Sequence, residues 1–293
     1  MAAPRIAVIG GGISGLTCAR ELARADAKVT LFERSRGLGG RLGTRRQGSF
    51  AFDHGAQFIT ARSRPFAQYI EVAARAGMVN RWSPRILEDE RFWDTPIEDW
   101  LVGQPGMSGA VRPMTRNVEL QSGVGVHEVI QSQRGWELQT DSGRQNAIFD
   151  AVAVAVPAPQ ALTLLGAHGR AFRHLADVRM SPCWAGMFAF ETPLDAGAEV
   201  RRWTRGTLTW AACDSSKPLR PAGPQCWVVH ASSDWSRQHL EADAPEVAQL
   251  LLREFAAATG VRAPRPVYLQ VQRAPPHLRL HKRPVWTRLK TTA

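Results

Sequence analysis

The chain has 293 residues, 44% hydrophobic and 22% charged, with 25 glycines and 19 prolines spread along it and no internal repeat. Such a composition belongs to a globular protein of about two domains and excludes disordered and fibrous classes. The formal charge of +11 suggests a nucleic-acid partner, yet eight cations and no acid lie from Arg262 onward. The body is therefore close to balanced, the excess is a basic tail, and neither nucleic acid nor membrane is expected as a partner.

The Ile6–Ile9 apolar run is too short for a signal-peptide core, and no stretch approaches the ~18 apolar residues that span a bilayer. A soluble, cytoplasmic protein is expected. Cys18, Cys183, Cys213 and Cys226 are far apart and never form a Cys-x-x-Cys pair. They read as reduced structural thiols, with no metal site implied.

In chain order, Arg5–Ile9 is a buried strand pattern, followed by a glycine turn. Ile13, Leu16, Ala19, Leu22 and Ala23 then recur at helical spacing, and Lys28–Phe32 forms a second strand ending in Glu33. This is a β-α-β unit. Phe66–Ala76 is helix-like and opens an excursion into a second domain. Asn117–Ile130, Trp136–Thr140 and Ile148–Val156 read as three strands separated by turns. The last is nearly continuous in Ala and Val, the pattern of a strand buried on both faces as it rejoins a parallel sheet. A helix is expected at Ala244–Ala258, and beyond Gln272 periodicity vanishes.

Gly10-Gly11-Gly12-Ile13-Ser14-Gly15 matches G-x-G-x-x-G between a strand and a helix. Gly10 permits the tight turn, Gly12 lets backbone approach a pyrophosphate, and Gly15 allows close helix–strand packing. The helix start at Ile13 and Ser14 faces the phosphate charge. Glu33, at the end of the second strand, is placed to accept hydrogen bonds from a ribose hydroxyl, with Arg34 beside it. An acid there favours an unphosphorylated adenosine ribose. The fingerprint alone does not separate FAD from NAD.

The continuation does. Glu33-Arg34-Ser35-Arg36-Gly37-Leu38-Gly39-Gly40-Arg41 resembles the Gly-Gly-Arg motif that follows the second strand in flavin amine oxidases. It implies that Gly40 sets backbone against the dinucleotide and that Arg41 neutralises pyrophosphate. Phe52-Asp53-His54-Gly55-Ala56-Gln57-Phe58 resembles the Asp-x-Gly-Ala stretch these flavoproteins lay beside the isoalloxazine ring. The implied roles are N–H donors at Ala56 and Gln57 and space for the ring at Gly55. Val126 sits where related proteins bind adenine with a strand backbone, and the Ala155-Val156-Pro157 strand end would close over the dinucleotide. His54 is the one candidate acid–base residue, and no catalytic residue is otherwise assigned. Eight of the ten tryptophans fall in the expected substrate domain, where packing and stacking on a planar substrate are both open.

Further segments, Val102–Ser108, Pro182–Met187 and Trp227–Ser236, resemble the bacterial renalase-like oxidoreductases of the flavin amine oxidase-like superfamily. The resemblance implies an α/β architecture of the glutathione reductase and p-hydroxybenzoate hydroxylase type. It places a discontinuous FAD-binding domain at 1–61 and 112–168, an α+β substrate domain at 62–111 and 169–271, and an atypical basic tail at 272–293. It also implies FAD as cofactor, molecular oxygen as electron acceptor, and a small-molecule substrate, either an isomeric dihydronicotinamide dinucleotide or an amine. The family continues past Val271 into a Gly-Asp turn and a glycine-containing helix facing the flavin. Here Gln272–Ala293 reads as a truncated or frameshifted ending, which leaves an inactive flavoprotein remnant as a further alternative.

Overall fold

A computed structural model describes residues 2–262 and 264–278. The chain divides into two compact units, Met1–Gly40 with Pro113–Met180, and Arg41–Arg112 with Ser181–His277. The first crossing thus falls at Gly40, not after Ala61, and residues 41–61 pack with the second unit. The chain returns to the first unit at Pro113 and leaves it again after Met180.

In the first unit, strand β1 (Arg5–Ile9), helix α1 (Ile13–Arg24) and strand β2 (Lys28–Glu33) take the places their spacing predicts. They build a four-stranded parallel sheet in the order Ala151–Val154, β1, β2, Glu119–Ser122. Ala7, Val8, Ile9, Leu31 and Phe32 are buried, and Leu16 and Ala19 form the inward face of α1. The Ala-Val strand does rejoin this sheet, but as its edge, and its residues are only half-buried or exposed. Small side chains here reflect an edge beside the glycine turn, not burial on both faces.

The stretch Asn117–Ile130 is two strands. Glu119–Ser122 pairs with β2, whereas Val126–Ser132 joins Gly135–Thr140 and Gly143–Arg144 in an antiparallel sheet. Gly123, at φ +76°, turns the chain between them. Only glycine adopts such a backbone without strain.

The second unit is built on a seven-stranded sheet ordered Tyr268–Leu278, Met180–Phe190, Gln225–Ala231, Leu208–Cys213, Val200–Arg202, Ile86–Glu88, Arg91–Trp93. Alternation along Met180–Phe190 divides its side chains between two cores. Phe188 and Phe190 meet Trp227 of the neighbouring strand and Val247, Leu251 and Phe255 of the helix Ala244–Thr259, while Met187 and Ala189 meet Phe52 and Val228. The helix Arg64–Arg75 lies where helical spacing was read. The final strand runs past Gln272 to Leu278, through two prolines that mark that point as irregular. It is an edge strand, the position where proline's missing N–H is tolerated. The rest of the expected basic tail, 279–293, lies outside the described residues.

Candidate functional site

The glycines of the first-unit turn have three different jobs. Gly10 sits at φ +108°, and a Cβ there would approach the Ala155 carbonyl oxygen to 2.8 Å. A Cβ on Gly15 would collide with the Gly10 carbonyl oxygen, so α1 starts as close to β1 as backbones allow. Around Gly12, in contrast, a Cβ would meet nothing within 4 Å. Gly12 is therefore a glycine that the protein's own packing does not require. It is also the N-cap of α1, whose first turn has neither a side-chain cap nor an acidic residue. An uncapped helix start presents N–H groups and the positive end of the helix dipole, the donor set an anion needs.

Glu33 closes this turn. Its Oε2 accepts the Gly11 N–H at 2.7 Å, and its Oε1 accepts the Ser35 N–H at 2.7 Å. Each oxygen retains a lone pair for a ribose hydroxyl. The carbonyls of Glu33 and Ser35 accept the N–H groups of Val124 and Gly123, which brings the chain entering Val126 beside the acid. Arg34 and Ser14 are exposed, and Ile13 is half-buried. Gly39 donates its N–H to the Gly11 carbonyl at 2.8 Å. Gly40, at φ +55°, brings its Cβ position to 3.1 Å from the Gly12 Cα. The Gly-Gly pair thus lies directly on the turn. Pro157 caps the helix Ala158–Leu165, two residues after Ala155 touches Gly10. These residues fit a dinucleotide diphosphate: an open approach at Gly12, unused donors, and an acid anchored beside them.

The stretch 53–58 belongs to the second unit and is arranged differently from expectation. Gly55 is required by the chain itself, because a Cβ there would collide with the Arg41 carbonyl oxygen. The Ala56 N–H also goes to that carbonyl, at 2.9 Å. This corrects the reading of Gly55 as ring space and of Ala56 as a ring donor. The Gln57 N–H makes no hydrogen bond among the described residues, so it is the expected donor that remains available. The Arg41 side chain is exposed and in no ion pair among the described residues. His54 is half-buried, and burial together with the Arg45 charge lowers its pKa from the usual histidine value, which favours the neutral imidazole.

Sequence reasoning missed the most heavily buried polar group of this unit. The side chains of Asp53, Asp214 and Lys217 are fully buried, and that of Arg220 is 2% exposed. Asp53 Oδ1 accepts from Thr44 Oγ1 at 2.7 Å and from the Met107 N–H at 2.9 Å. Its Oδ2 accepts from Lys217 Nζ at 3.1 Å and Arg220 Nη2 at 2.6 Å. The Asp53 N–H donates to Asp214 Oδ2 at 2.5 Å, and Lys217 Nζ also reaches Asp214 at 2.5 Å. Burial alone would raise the Asp53 pKa, but the Lys217 and Arg220 charges outweigh it and hold the carboxyl well below the usual range. Burial dominates at Asp214, whose pKa is raised. A signal was present in the i, i+3 spacing of Asp214, Lys217 and Arg220 next to the apolar run Ala211-Ala212-Cys213.

The tryptophans resolve mainly as packing. Trp184, Trp227, Trp203 and Trp235 belong to or border the helix core. Trp100 stacks on Phe58 at 3.9 Å between ring centroids, and Trp210 and Trp82 lie against Trp100 at 5.6 and 5.7 Å. Among the described residues no group of side chains could hold a metal ion, and no helix is long and apolar enough to cross a membrane.

Residues 8–71 match a family model described as an NAD(P)-binding Rossmann-like domain, and residues 87–277 match that of the flavin containing amine oxidoreductases. The second match spans most of the chain. The chain belongs to the flavin-containing amine oxidoreductase family. Its cofactor is FAD, which the Gly10–Gly15 turn and Glu33 fit.

Solved structures with a similar fold include a protein of Exiguobacterium sp. 255-15 provisionally assigned as a protoporphyrinogen oxidase, with a TM-score of 0.73 at 15% identity over 95% of this chain and 88% of that one. Cyclohexylamine oxidase from Brevibacterium oxydans IH-35A gives 0.70 at 12% identity over 93% and 85%. Putrescine oxidase bound to putrescine gives 0.65 at 12% identity over 92% and 84%. Among curated proteins, a segment of 78 residues is 33% identical to a 4,4'-diapophytoene desaturase of Staphylococcus aureus, covering 23% of this chain and 16% of that protein. A segment of 40 residues is 58% identical to a carotenoid phi-ring synthase of Streptomyces griseus, covering 14% and 8%. The matches thus take in only a small part of those relatives' length.

Proposed function

We propose that the protein is an FAD-dependent oxidoreductase of the oxidase type, taking a hydride from a small reduced substrate, with a dihydronicotinamide dinucleotide isomer as the first candidate. The observation that carries this reading is the open position at Gly12, at the head of an uncapped helix and beside an anchored acid. Gly10, Gly12, Ile13, Ser14 and Gly15 would hold the diphosphate, with Gly40 and Arg41 contributing, and Glu33 and Arg34 would hold the adenosine ribose. Val126 and Pro157 would flank the dinucleotide through backbone. In the second unit, Gln57 would offer its N–H to the ring.

Bound FAD supplies an acceptor for a hydride, and the protein's work is to position the substrate and exclude competing reactions. The substrate carbon loses hydrogen with its electron pair, and molecular oxygen takes up two electrons and two protons to leave as hydrogen peroxide. His54, whose pKa is lowered by burial and by the Arg45 charge, would be the residue to take up a proton if one is transferred. The preference for dihydronicotinamides is supported by the likeness of Val102–Ser108, Pro182–Met187 and Trp227–Ser236 to renalase-like proteins.

A second reading, an amine substrate, is favoured by the Phe58, Trp82, Trp100 and Trp210 cluster, since aromatic faces attract ammonium groups. The putrescine and cyclohexylamine oxidases of the same fold point the same way. Anaerobic mixing of the yellow protein with borohydride-reduced NAD isomers, putrescine and cyclohexylamine decides between the two. Bleaching by the dihydronicotinamides alone is the expected result, and bleaching by the amines alone overturns the substrate assignment. A protein that stays colourless after incubation with FAD overturns the function.

A further inference from the structure

The four buried charges Asp53, Asp214, Lys217 and Arg220 are placed where substrate has no access. Lys217 Nζ is held between two carboxylates and Gln57 Oε1, the last at 3.4 Å, so no lone pair is offered to an incoming carbonyl. The set is closed as chemistry. It is also a poor way to gain stability, because desolvating ions offsets most of their attraction, and apolar replacements of buried pairs are often neutral or stabilising.

What the set does accomplish is to define where one piece of chain lies. Asp53 is held at every polar atom. Four donors saturate its carboxylate, its N–H is taken by Asp214, and its carbonyl accepts from Gln57 Nε2. Gln57 in turn donates to the Gly55 carbonyl at 3.3 Å and accepts from Lys217. Both ends of the 53–57 stretch are thereby tied to the same lysine. The donors come from separated parts of the second unit: Thr44, the Gly103–Met107 turn, and the Asp214–Arg220 segment. Arg220 Nη1 ties the turn in as well, donating to the Gly103 carbonyl at 3.0 Å.

We propose that Lys217 and Arg220 are positioning residues which, through Asp53 and Gln57, fix the backbone of the 53–57 stretch that the proposed function draws on. The inference rests on the proposed flavin function for its consequence, though its structural part stands apart from it. A cluster that serves general stability would loosen the whole unit when removed. A positioning cluster loosens one segment and leaves the sheet alone.

The test is the double variant Asp53→Asn/Arg220→Met, which removes one ion pair and leaves Lys217 paired with Asp214 at 2.5 Å. Two quantities are read: amide hydrogen exchange at positions 53 and 56 against that of Met187 and Val228 in the sheet, and FAD affinity by titration. The expected result is a melting temperature at or above that of the wild type, exchange at 53 and 56 faster by about tenfold with the sheet unchanged, and FAD affinity weaker by about tenfold. Exchange that quickens equally across the sheet, or does not change at 53 and 56, overturns the proposal.

Should the double variant fail to fold, Thr44→Val removes one donor to Asp53 isosterically and without a charge. It is expected to speed exchange at 53 and weaken FAD binding by about threefold each, and no change in either overturns the proposal. If wild-type protein takes up no FAD, the proposed function falls, and the exchange measurement still decides whether the cluster positions this segment.

Discussion

The α-carbon of Gly15 faces the carbonyl oxygen of Gly10 so closely that no side chain fits between them. Gly15→Ala should therefore push α1 away from β1, destabilising the first unit by about 1–3 kcal/mol in spite of alanine's better helix propensity. Chemical denaturation of the apoprotein checks this. A variant as stable as the wild type would show that the helix has room.

Phe255 is fully buried and meets Phe188 and Trp227 at ring-centroid distances of 5.9 and 5.2 Å. Phe255→Ala should cost about 3–5 kcal/mol, as for other aromatic truncations in a packed core. The urea midpoint reads it. A loss below about 1 kcal/mol would mean that the helix Ala244–Thr259 is not docked as described.

The pKa of His54 is depressed by burial and by Arg45, so the native state binds fewer protons than the unfolded chain at pH values just below 6.5. A base with a lowered folded pKa contributes stability above its unfolded value and loses it as pH falls through the folded value. Stability should therefore rise with pH across that window, and His54→Gln should flatten the rise. Equal slopes for the two proteins would contradict the assignment.

Burial pushes the Cys183 thiol up to about 12 and, with Asp214 adding to burial, the Cys213 thiol to about 12 as well. The thiolate is the reactive form, so both should resist a disulfide reagent at neutral pH in the native protein and react once guanidinium unfolds it. Rapid reaction of all four thiols in the native state would contradict this.

The β1-α1-β2 unit was legible in the sequence because contiguous residues determine it: apolar runs of strand length, helical spacing from Ile13, and glycines at fixed offsets. Within the G-x-G-x-x-G pattern, Gly10 takes a positive φ, Gly15 lies against the Gly10 carbonyl oxygen, and Gly12 has open space around it. Asn117–Ile130 was misread as one strand because a single apolar pattern serves two sheets, with Gly123 turning between them. The Ala-Val strand looked doubly buried because composition records side-chain size, not a neighbour on each side.

The charge cluster was illegible for a different reason. Lys217 and Asp53 are 164 positions apart, and only folding makes one the partner of the other. Gly55 and Ala56 taught a related lesson. Their motif is real, but the carbonyl that requires it belongs to Arg41 of the same chain.

The most direct test of flavin binding at the Gly10–Gly15 turn is the FAD affinity of Gly12→Ala, measured beside its melting temperature. The backbone there, at φ −75°, suits alanine, and the added methyl meets no protein atom, so the fold should be unharmed or stabilised by about 0.4–1 kcal/mol. The same methyl would stand where a diphosphate approaches, so FAD should bind at least about tenfold more weakly. A variant that keeps its melting temperature and binds FAD as tightly as the wild type would contradict the account.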